Sequence, residues 1–290
     1  MAPKPGNSKC GLRNPVFHLE RPAIRPGATG VMDPRFQRHI DACNTAILPG
    51  GRLPFRLGTV QVGWVTQDFA TALAHEPAVV IGEAVTLASP EALPSLARTM
   101  ADKGHYAFRD EAFDVRPVQG GKVIATIDRG ALPAFGVSAE GVHVNGLVSR
   151  PDGLMIWVAR RSPTKLLDPG KLDHIVAGGV SAGMDARETL LKEAAEEAAI
   201  PPELAAQAVR RSEIHYALER AEGLRRDVLQ CYDLELPESF TPTAADGEVE
   251  SFELWPIDRV FAEVRDTDNF KFNVNLVLID LFTRLGMLKT

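Results

Sequence analysis

Three glutamates lie close together near the middle of the chain, at Glu193, Glu196 and Glu197. Residues 186–199 are almost all good helix formers, and Asp185 is a capping residue with a glutamate three positions later. On a helix, the spacing i, i+3 and i+4 places three side chains on one face. Carboxylates this close repel one another, whereas a divalent cation such as Mg²⁺ takes oxygen ligands and reverses the sign of that interaction. The pattern therefore predicts a helix that holds a metal ion.

Glycine residues precede this helix and allow the backbone to approach the same ion. Gly178 and Gly179 permit a tight turn, so we expect the carbonyl oxygen of Gly178 to join the metal ligands. Ser181, in the same loop, is a candidate phosphate contact, although a serine there is also an ordinary turn residue. A glutamate-rich helix alone is usually a solvated surface. The glycine pair and the helix cap are what favour a site.

The stretch from Gly178 to Ile200 resembles the Nudix hydrolase signature, G-x5-E-x7-R-E-U-x-E-E-x-G-U, in which U is a bulky aliphatic residue. With Glu193 aligned to the leading glutamate of the motif, the paired glutamates fall on Glu196 and Glu197. The acids that bind metal in the family are all present, so we expect a working site. The sequence departs from the signature at four positions. Met184 stands in place of the first acid and Lys192 in place of the arginine, while Ala194 replaces the aliphatic residue and Ala199 the final glycine.

The resemblance implies a role for each residue of the motif. Glu193, Glu196, Glu197 and the Gly178 carbonyl would bind Mg²⁺ or Mn²⁺, and Glu193 would also accept the proton of the attacking water. Lys192 stands where the family has an arginine that orients the catalytic glutamate, and lysine lacks the planar fork of arginine. Glu193, Glu197 and Lys192 are thus the predicted catalytic residues.

Family members often add one more acid from a later strand or loop. Glu248 follows a glycine at the start of a predicted strand and is the preferred candidate for a further metal ligand. Glu250 is the alternative, and an ordinary exposed acid at a strand edge fits either position equally well.

Two arginines and a histidine are candidates for substrate binding. Arg160 and Arg161 follow an apolar run, and one of them is expected to donate to a phosphate while the other faces solvent, because adjacent strand residues point to opposite faces. His174 lies just before the glycine loop and is a further candidate, although a lone histidine there is more often structural.

Several segments together resemble one Nudix subgroup, namely the Nudix half of fungal thiamin pyrophosphokinase fusions and their stand-alone relatives. These segments are GVHVNGLV, LMIWVARRS, KLDHIVAGGVSAG, KEAAEEAAIP, YDLELP and DGEVESFEL, with PFRLGTVQVGWVT in a small N-terminal domain. The resemblance implies a metal-dependent diphosphatase that acts on thiamin diphosphate or its damaged oxo and oxy analogues. The products would be the monophosphate and phosphate.

Two other functions are compatible with these residues. One is a Nudix hydrolase of a nucleoside diphosphate derivative, such as ADP-ribose or a dinucleotide. The other is a Nudix-fold regulator that binds a ligand without cleaving it, which the departures at Met184, Lys192 and Ala199 favour. The retention of all three helix glutamates favours the enzyme, since a pure binder does not need them.

Composition restricts the binding partners and the cellular compartment that we expect. The chain has 290 residues, 45% of them hydrophobic, and a net charge of −6, which argues against broad binding to nucleic acid. Cys10, Cys43 and Cys231 are odd in number and far apart, so a reducing compartment such as the cytoplasm is expected. No apolar run reaches the roughly 20 residues of a membrane span. A small diphosphate is the expected partner, and a homodimer is an open option.

Patterning predicts an α+β protein with two units after an N-terminal arm. Residues 1–32 are rich in proline and glycine and are expected to form an extended arm, or to precede a true start at Met32. Residues 33–133 are expected to form a small α+β domain, with residues 79–87 and 105–118 extended. Residues 134–290 are predicted to form the Nudix domain, an α/β/α sandwich with a mixed sheet. Its first two strands are expected to form a hairpin that turns at residues 151–153.

Overall fold

The structure is a computed structural model that describes residues 32–245 and 247–288. The predicted arm, residues 1–32, lies outside the described residues except for Met32. None of the described helices combines the length and the apolar character that crossing a membrane requires.

The first part of the chain forms short helices and strands. In chain order these are α1 (Pro34–Cys43), β1 (Leu53–Leu57), β2 (Val60–Val65), α2 (Gln67–Leu73), β3 (Val79–Ile81), β4 (Val85–Leu87), a 3-10 turn (Pro90–Ala92), α3 (Leu93–Asp102), β5 (Ala112–Val115), β6 (Ala125–Asp128) and α4 (Leu132–Phe135).

These elements form two small sheets around one apolar core. A four-stranded sheet has the order β2-β1-β4-β3, and β5 pairs with β6 in a two-stranded sheet. Phe55, Phe69 and Phe135 are buried in this core, and the ring of Phe135 lies 4.9 Å from that of Phe55 and 5.0 Å from that of Phe69. The core continues to Val137, at the entry to the next sheet.

Helix α1 packs away from this core, although it precedes these sheets in the chain. Asp33 accepts a hydrogen bond from the Arg35 backbone and caps the helix, as its position before a proline predicts. Phe36 is buried among residues from the C-terminal part of the chain, and its ring lies 4.9 Å from that of Phe261. The predicted domain boundary at residue 133 stays a prediction, and α1 is part of the later core.

The second part of the chain contains the longer strands and four of the helices. In chain order these are β7 (Ser138–Arg150), β8 (Gly153–Arg161), β9 (Leu172–Asp173), β10 (Val176–Gly179), α5 (Ala186–Ala198), α6 (Pro202–Ala205), β11 (Val209–Arg220), β12 (Gly223–Glu235), β13 (Val249–Pro256), α7 (Ile257–Asp266) and α8 (Val274–Arg284).

A seven-stranded mixed sheet organises this part. Its main order is β11-β12-β7-β8-β13, with β10 paired to β7 and β9 paired to β8. Strand β12 runs parallel to β7, and the other pairs in this sheet are antiparallel. The hairpin between β7 and β8 turns after Arg150, which confirms the prediction from the Pro-Asp-Gly sequence.

Helices cover both faces of this sheet, and the side chains of β8 alternate between the two faces. Trp157 packs in the core beneath α5, whereas Ile156 and Val158 pack in the core beneath α7 and α8. This alternation follows from the two-residue period of a strand. The predicted α/β/α arrangement with a mixed sheet is therefore confirmed.

Two predicted extended stretches are broken in the structure. Residues 79–87 form two strands rather than one, because the chain reverses after Ile81 and pairs Val79 with Leu87. Within residues 105–118, only β5 is a strand. The hydrophobic pattern of a short apolar run in the sequence does not reveal such turns.

Candidate metal and diphosphate site

Helix α5 and strand β10 hold the glutamates of the motif beside the glycine loop. The Asp185 side chain accepts hydrogen bonds from the backbone of Arg187 and Glu188, and Glu188 bonds back to the Asp185 backbone, so the predicted capping box is present. The helix ends where Ala199 takes a left-handed conformation, with φ of 50°. It packs on β10 and β7 and thereby fixes the glutamates relative to the sheet.

Gly178 lies directly against Glu193. Gly178 pairs with Val142 of β7, and its φ is not in the left-handed region. A Cβ atom at this position would lie 2.5 Å from Cγ and 2.6 Å from Cδ of Glu193. The glycine is therefore required here for close approach to a side chain rather than for a turn. This contact places Glu193 over the Gly178 backbone, and the role of the Gly178 carbonyl as a metal ligand stays a prediction.

Glu197 is buried, with 6% of its surface exposed, and the strand holds it in place. Its Oε2 accepts a hydrogen bond of 2.8 Å from the backbone N–H of Ala177. Burial raises the pKa of Glu197 to about 8, and the nearby carboxylates of Asp173 and Glu193 add to the rise. A cation beside Glu197 would favour its charged form at neutral pH.

Lys192 connects the other two glutamates of the helix. Its Nζ lies 3.1 Å from Oε1 of Glu193 and 2.9 Å from Oε2 of Glu196. The hydrogen bond to Glu196 contributes most to raising the pKa of Lys192. Lys192 thus contacts Glu193, the predicted catalytic base. The resemblance implies such a contact for the residue at this position of the motif.

A narrow cleft beside Glu197 brings together residues from four segments of the chain. Its charged lining consists of Arg161, Lys165, Asp173, Glu197 and Glu248. Glu248 enters this cleft and contacts Lys165 through an ion pair. Among the described residues, the lining includes Val249 but not Glu250, which lies at a bulge between β13 and β8. Glu248 is therefore the one of the two candidate acids that approaches Glu197.

The two candidate arginines point into different clefts. Arg161 lines the Glu197 cleft, but its guanidinium bonds the carbonyls of Leu167 and Asp168 and the carboxylate of Asp173. Arg160 donates to the carbonyl of Gly170 and lines a separate groove beside Trp255. The structure does not bring Arg160 to the motif glutamates.

His174 lines the cleft and is buried in a polar cluster. Its Nδ1 lies 2.9 Å from Nδ1 of His143, and burial lowers its pKa to about 4, so the ring is neutral at pH 7. Asp173 accepts from Arg161 and lies 3.6 Å from Nζ of Lys271. The atoms of His143, Asp173 and His174 are close enough to hold a metal, but two cations already neutralise the carboxylate there.

Ser181 contacts the N-terminal part of the chain rather than the motif glutamates. Its Oγ lies 3.2 Å from Oε1 of Glu111, and the backbone of Ala182 donates to the carbonyl of Ala112 in β5. A Cβ atom on Gly179 would lie 2.6 Å from Cζ of Phe113. The N-terminal part of the chain therefore packs directly on the glycine loop.

The donors around α5 fit a hard divalent cation. Three carboxylates and a backbone carbonyl supply oxygen ligands of the kind that Mg²⁺ and Mn²⁺ prefer. The buried Glu197, whose pKa is raised, is the feature of this structure that a bound cation would stabilise in its charged form. The ligand set itself remains a prediction.

Four residues near the site were missed by sequence reasoning: Lys165, His143, Asp173 and Lys271. Lys165 lies in an unpatterned loop, and Lys271 reaches the cluster from just before α8. No spacing rule connects them, since each contact depends on how the sheet assembles. His143 alone carried a signal, because an inward-facing histidine in an apolar strand is unusual.

Known proteins resemble the chain over the region that carries this site. Residues 140–274 match the family described as NUDIX domain. The chain is 36% identical over 290 residues to "Nudix hydrolase 24, chloroplastic" of Arabidopsis thaliana, covering 95% of this chain and 79% of that protein. It is 40% identical over 199 residues to "Nudix hydrolase 20, chloroplastic" of the same plant, covering 68% of this chain and 53% of that protein.

A solved structure from Deinococcus radiodurans, of the protein DR0079, overlaps 59% of this chain and 98% of its own chain, with 21% identity and a TM-score of 0.44. The chain described here belongs to the Nudix hydrolase family. It is accordingly a hydrolase that acts on phosphorus-containing anhydrides.

Proposed function

We propose that the chain hydrolyses the diphosphate of thiamin diphosphate or of its damaged oxo and oxy analogues, releasing the monophosphate and phosphate. The observation that carries the chemistry is the convergence of Glu197 and Glu248 on one cleft, beside the contact of Gly178 with Glu193. The choice of substrate is supported by the resemblance of the quoted segments to the thiamin-linked subgroup.

The residues of the site have distinct parts in the proposed reaction. A divalent cation, when bound, neutralises the diphosphate oxygens and favours ionisation of a water. Glu193 accepts the proton of the attacking water, while the bond from the terminal phosphorus to its bridging oxygen breaks. Lys192 holds Glu193 in position at 3.1 Å, and the amide of Ala177 holds Glu197. The bridging oxygen leaves with the monophosphate.

The wall formed by β5 is the proposed neighbour of the substrate ring. It packs on the glycine loop through Phe113, and two acids in or just before it, Glu111 and Asp114, are paired with arginines. Glu111 lies 2.7 Å from Arg129, and Asp114 lies 2.9 Å from Arg116. A wall whose acids are already neutralised offers little to a cationic thiazolium. It therefore favours the neutral ring of the oxo analogue over any ring that keeps the thiazolium charge.

Hydrolysis of a substrate panel tests this proposal, measured as phosphate release from the thiamin compounds and as chromatographic detection of the nucleotide products from the others. The panel contains thiamin diphosphate, oxothiamin diphosphate, ADP-ribose, NADH and diadenosine polyphosphates, each with Mg²⁺ or Mn²⁺. We expect the highest kcat/KM on oxothiamin diphosphate. Faster hydrolysis of ADP-ribose or a dinucleotide would overturn the thiamin assignment. Binding of a panel member without product release would instead identify a regulator.

Location in the cytoplasm and assembly as a homodimer are the two remaining predictions. The matched plant proteins carry the word chloroplastic in their names. Cell fractionation of the native host tests the first prediction. Light scattering of the purified chain tests the second.

A further inference from the structure

The loop between β8 and β9, residues 162–171, carries a lysine to the acid that enters the cleft. Nζ of Lys165 forms an ion pair with Oε2 of Glu248. The loop and the start of β13 are also joined through the backbone, since the N–H of Ser162 donates to the carbonyl of Glu248 at 2.9 Å. The Lys165 side chain is 24% exposed and the Glu248 side chain 50% exposed, so solvent and small ligands reach this pair.

Arg161 anchors this loop, and each of its three side-chain nitrogens already donates to an oxygen of the protein. Its Nε donates to the carbonyls of Leu167 and Asp168, its Nη2 to Leu167 and its Nη1 to Asp173. Its side chain is only 11% exposed. Lys165 is the other cation among the described residues that line the cleft. A lysine has a flexible stem and three rotatable donors, so it can exchange partners where a pinned guanidinium cannot.

Two lysines form ion pairs with carboxylates of the proposed metal site. Lys192 lies between Glu193 and Glu196, and Lys165 lies on Glu248. An ammonium group on a carboxylate occupies the position that a dication would take there. A dication interacts about twice as strongly at equal distance, so it can compete for the same carboxylate. A lysine displaced in this way would lie beside the anion that the dication binds.

We propose that Lys165 is a phosphate-binding residue that competes with the divalent cation for Glu248. The cation displaces Lys165 from Glu248, and the lysine then donates to the diphosphate of the substrate. The inference rests on the proposed metal site and extends it, because it makes metal binding the event that supplies the phosphate contact. It does not depend on which organic group carries the diphosphate.

Manganese titration by calorimetry, without any substrate, tests the competition. We expect Lys165→Met to bind Mn²⁺ about two- to fivefold more tightly than the unsubstituted chain, which is the range that an exposed ion pair accounts for. Lys171→Met is the matched control, because Lys171 lies in the same loop but donates to the carbonyl of Asp268 in the other groove. Its Mn²⁺ affinity should be unchanged. Equal or weaker Mn²⁺ binding by Lys165→Met would overturn the proposal.

A double-mutant cycle assigns the effect to Glu248. In a Glu248→Gln background, Lys165→Met should have no further effect on Mn²⁺ affinity, because the shared carboxylate is gone. A gain that persists in this background would contradict competition at Glu248. Lys165→Gln provides a second variant if Lys165→Met fails to fold, and thermal melts check both.

Methylenediphosphonate, a diphosphate analogue whose P–C–P bridge is not hydrolysed, tests the second half of the proposal. At saturating Mn²⁺, Lys165→Met should bind it at least about fivefold more weakly, and Lys165→Arg should recover part of the loss. Unchanged affinity would exclude Lys165 as a phosphate ligand. Neither titration contains a thiamin compound, so failure of the thiamin assignment leaves both results interpretable.

Discussion

The backbone N–H of Ala177 donates to Oε2 of Glu197 at 2.8 Å, and this single bond joins strand β10 to helix α5 at the site. Glu197 is a turn of helix beyond Glu193, whose side chain lies against Gly178. Two successive backbone positions on the strand therefore fix two carboxylates on the helix. Backbone atoms of β10 therefore position these two carboxylates, and side-chain substitutions elsewhere in the protein do not easily move the backbone.

Replacing Glu197 with glutamine is expected to lower turnover at least about a hundredfold on the best substrate. A neutral amide can keep a hydrogen bond to Ala177 only by presenting its carbonyl oxygen, and it binds a cation poorly. Steady-state phosphate release measures the loss, and calorimetry should show reduced Mn²⁺ binding.

Glu203→Gln is the matched control for this substitution, because Glu203 is an exposed glutamate on the neighbouring helix α6. It should retain the original turnover. If Glu197→Gln keeps the original rate while remaining folded, the assignment of the site is wrong.

The buried Glu197 should also make the metal-free chain less stable at alkaline pH. Its folded pKa is about 8, against an ordinary value of 4.5, so the folded state binds more protons between these pH values. The stabilising contribution is therefore fully present below about pH 4.5 and is lost as the pH rises through about 8. At about 1.4 kcal/mol for each pKa unit, the full effect is a few kcal/mol.

Urea unfolding in EDTA at pH 5 and pH 9 measures this contribution. Glutamine does not titrate, so Glu197→Gln should have nearly the same stability as the unsubstituted chain at pH 5. At pH 9 the variant should be the more stable of the two. Curves that stay parallel from pH 5 to pH 9 would show that Glu197 does not titrate in this range.

Much of helix α5 could be predicted from the sequence because its determinants are local. Asp185 and Glu188 form the capping box that their spacing predicts, and the helix ends before Pro201. The alternation of β8 also predicted that Arg160 and Arg161 separate. It could not predict which of them enters the cleft, because that depends on the register between β8 and β13.

The contacts that complete the site are long-range and lay beyond such patterns. Lys165 and Glu248 are 83 positions apart, and Arg161 and Asp173 meet only because the loop between them folds back. Helix α1 was expected in the first domain from its place in the sequence. It packs instead with Phe261 and Phe282, where aromatic burial overrides chain order.

Gly178→Ala should reduce metal binding and turnover while the fold persists. The added Cβ would lie 2.5 Å from Cγ of Glu193, so the carboxylate has to move, and a displacement near 1 Å costs about a hundredfold in rate. Gly82→Ala is the control, since no atom lies within 4 Å of a Cβ placed there. Equal Mn²⁺ affinity and turnover in both variants would remove Gly178 from the site.

Ala199→Gly should stabilise the chain, because the family's glycine position is occupied here by a residue with φ of 50°. An L-residue in the left-handed region costs about 1–2 kcal/mol, and the greater freedom of glycine in the unfolded chain offsets about 0.4–1 kcal/mol of the gain. We expect a net increase of about 0.5–1 kcal/mol in the free energy of unfolding, measured by urea titration. The control is Ala195→Gly, at an exposed position inside α5, which should instead lower stability by about 1 kcal/mol. A loss of stability at both positions would mean that the left-handed cap at Ala199 carries no strain.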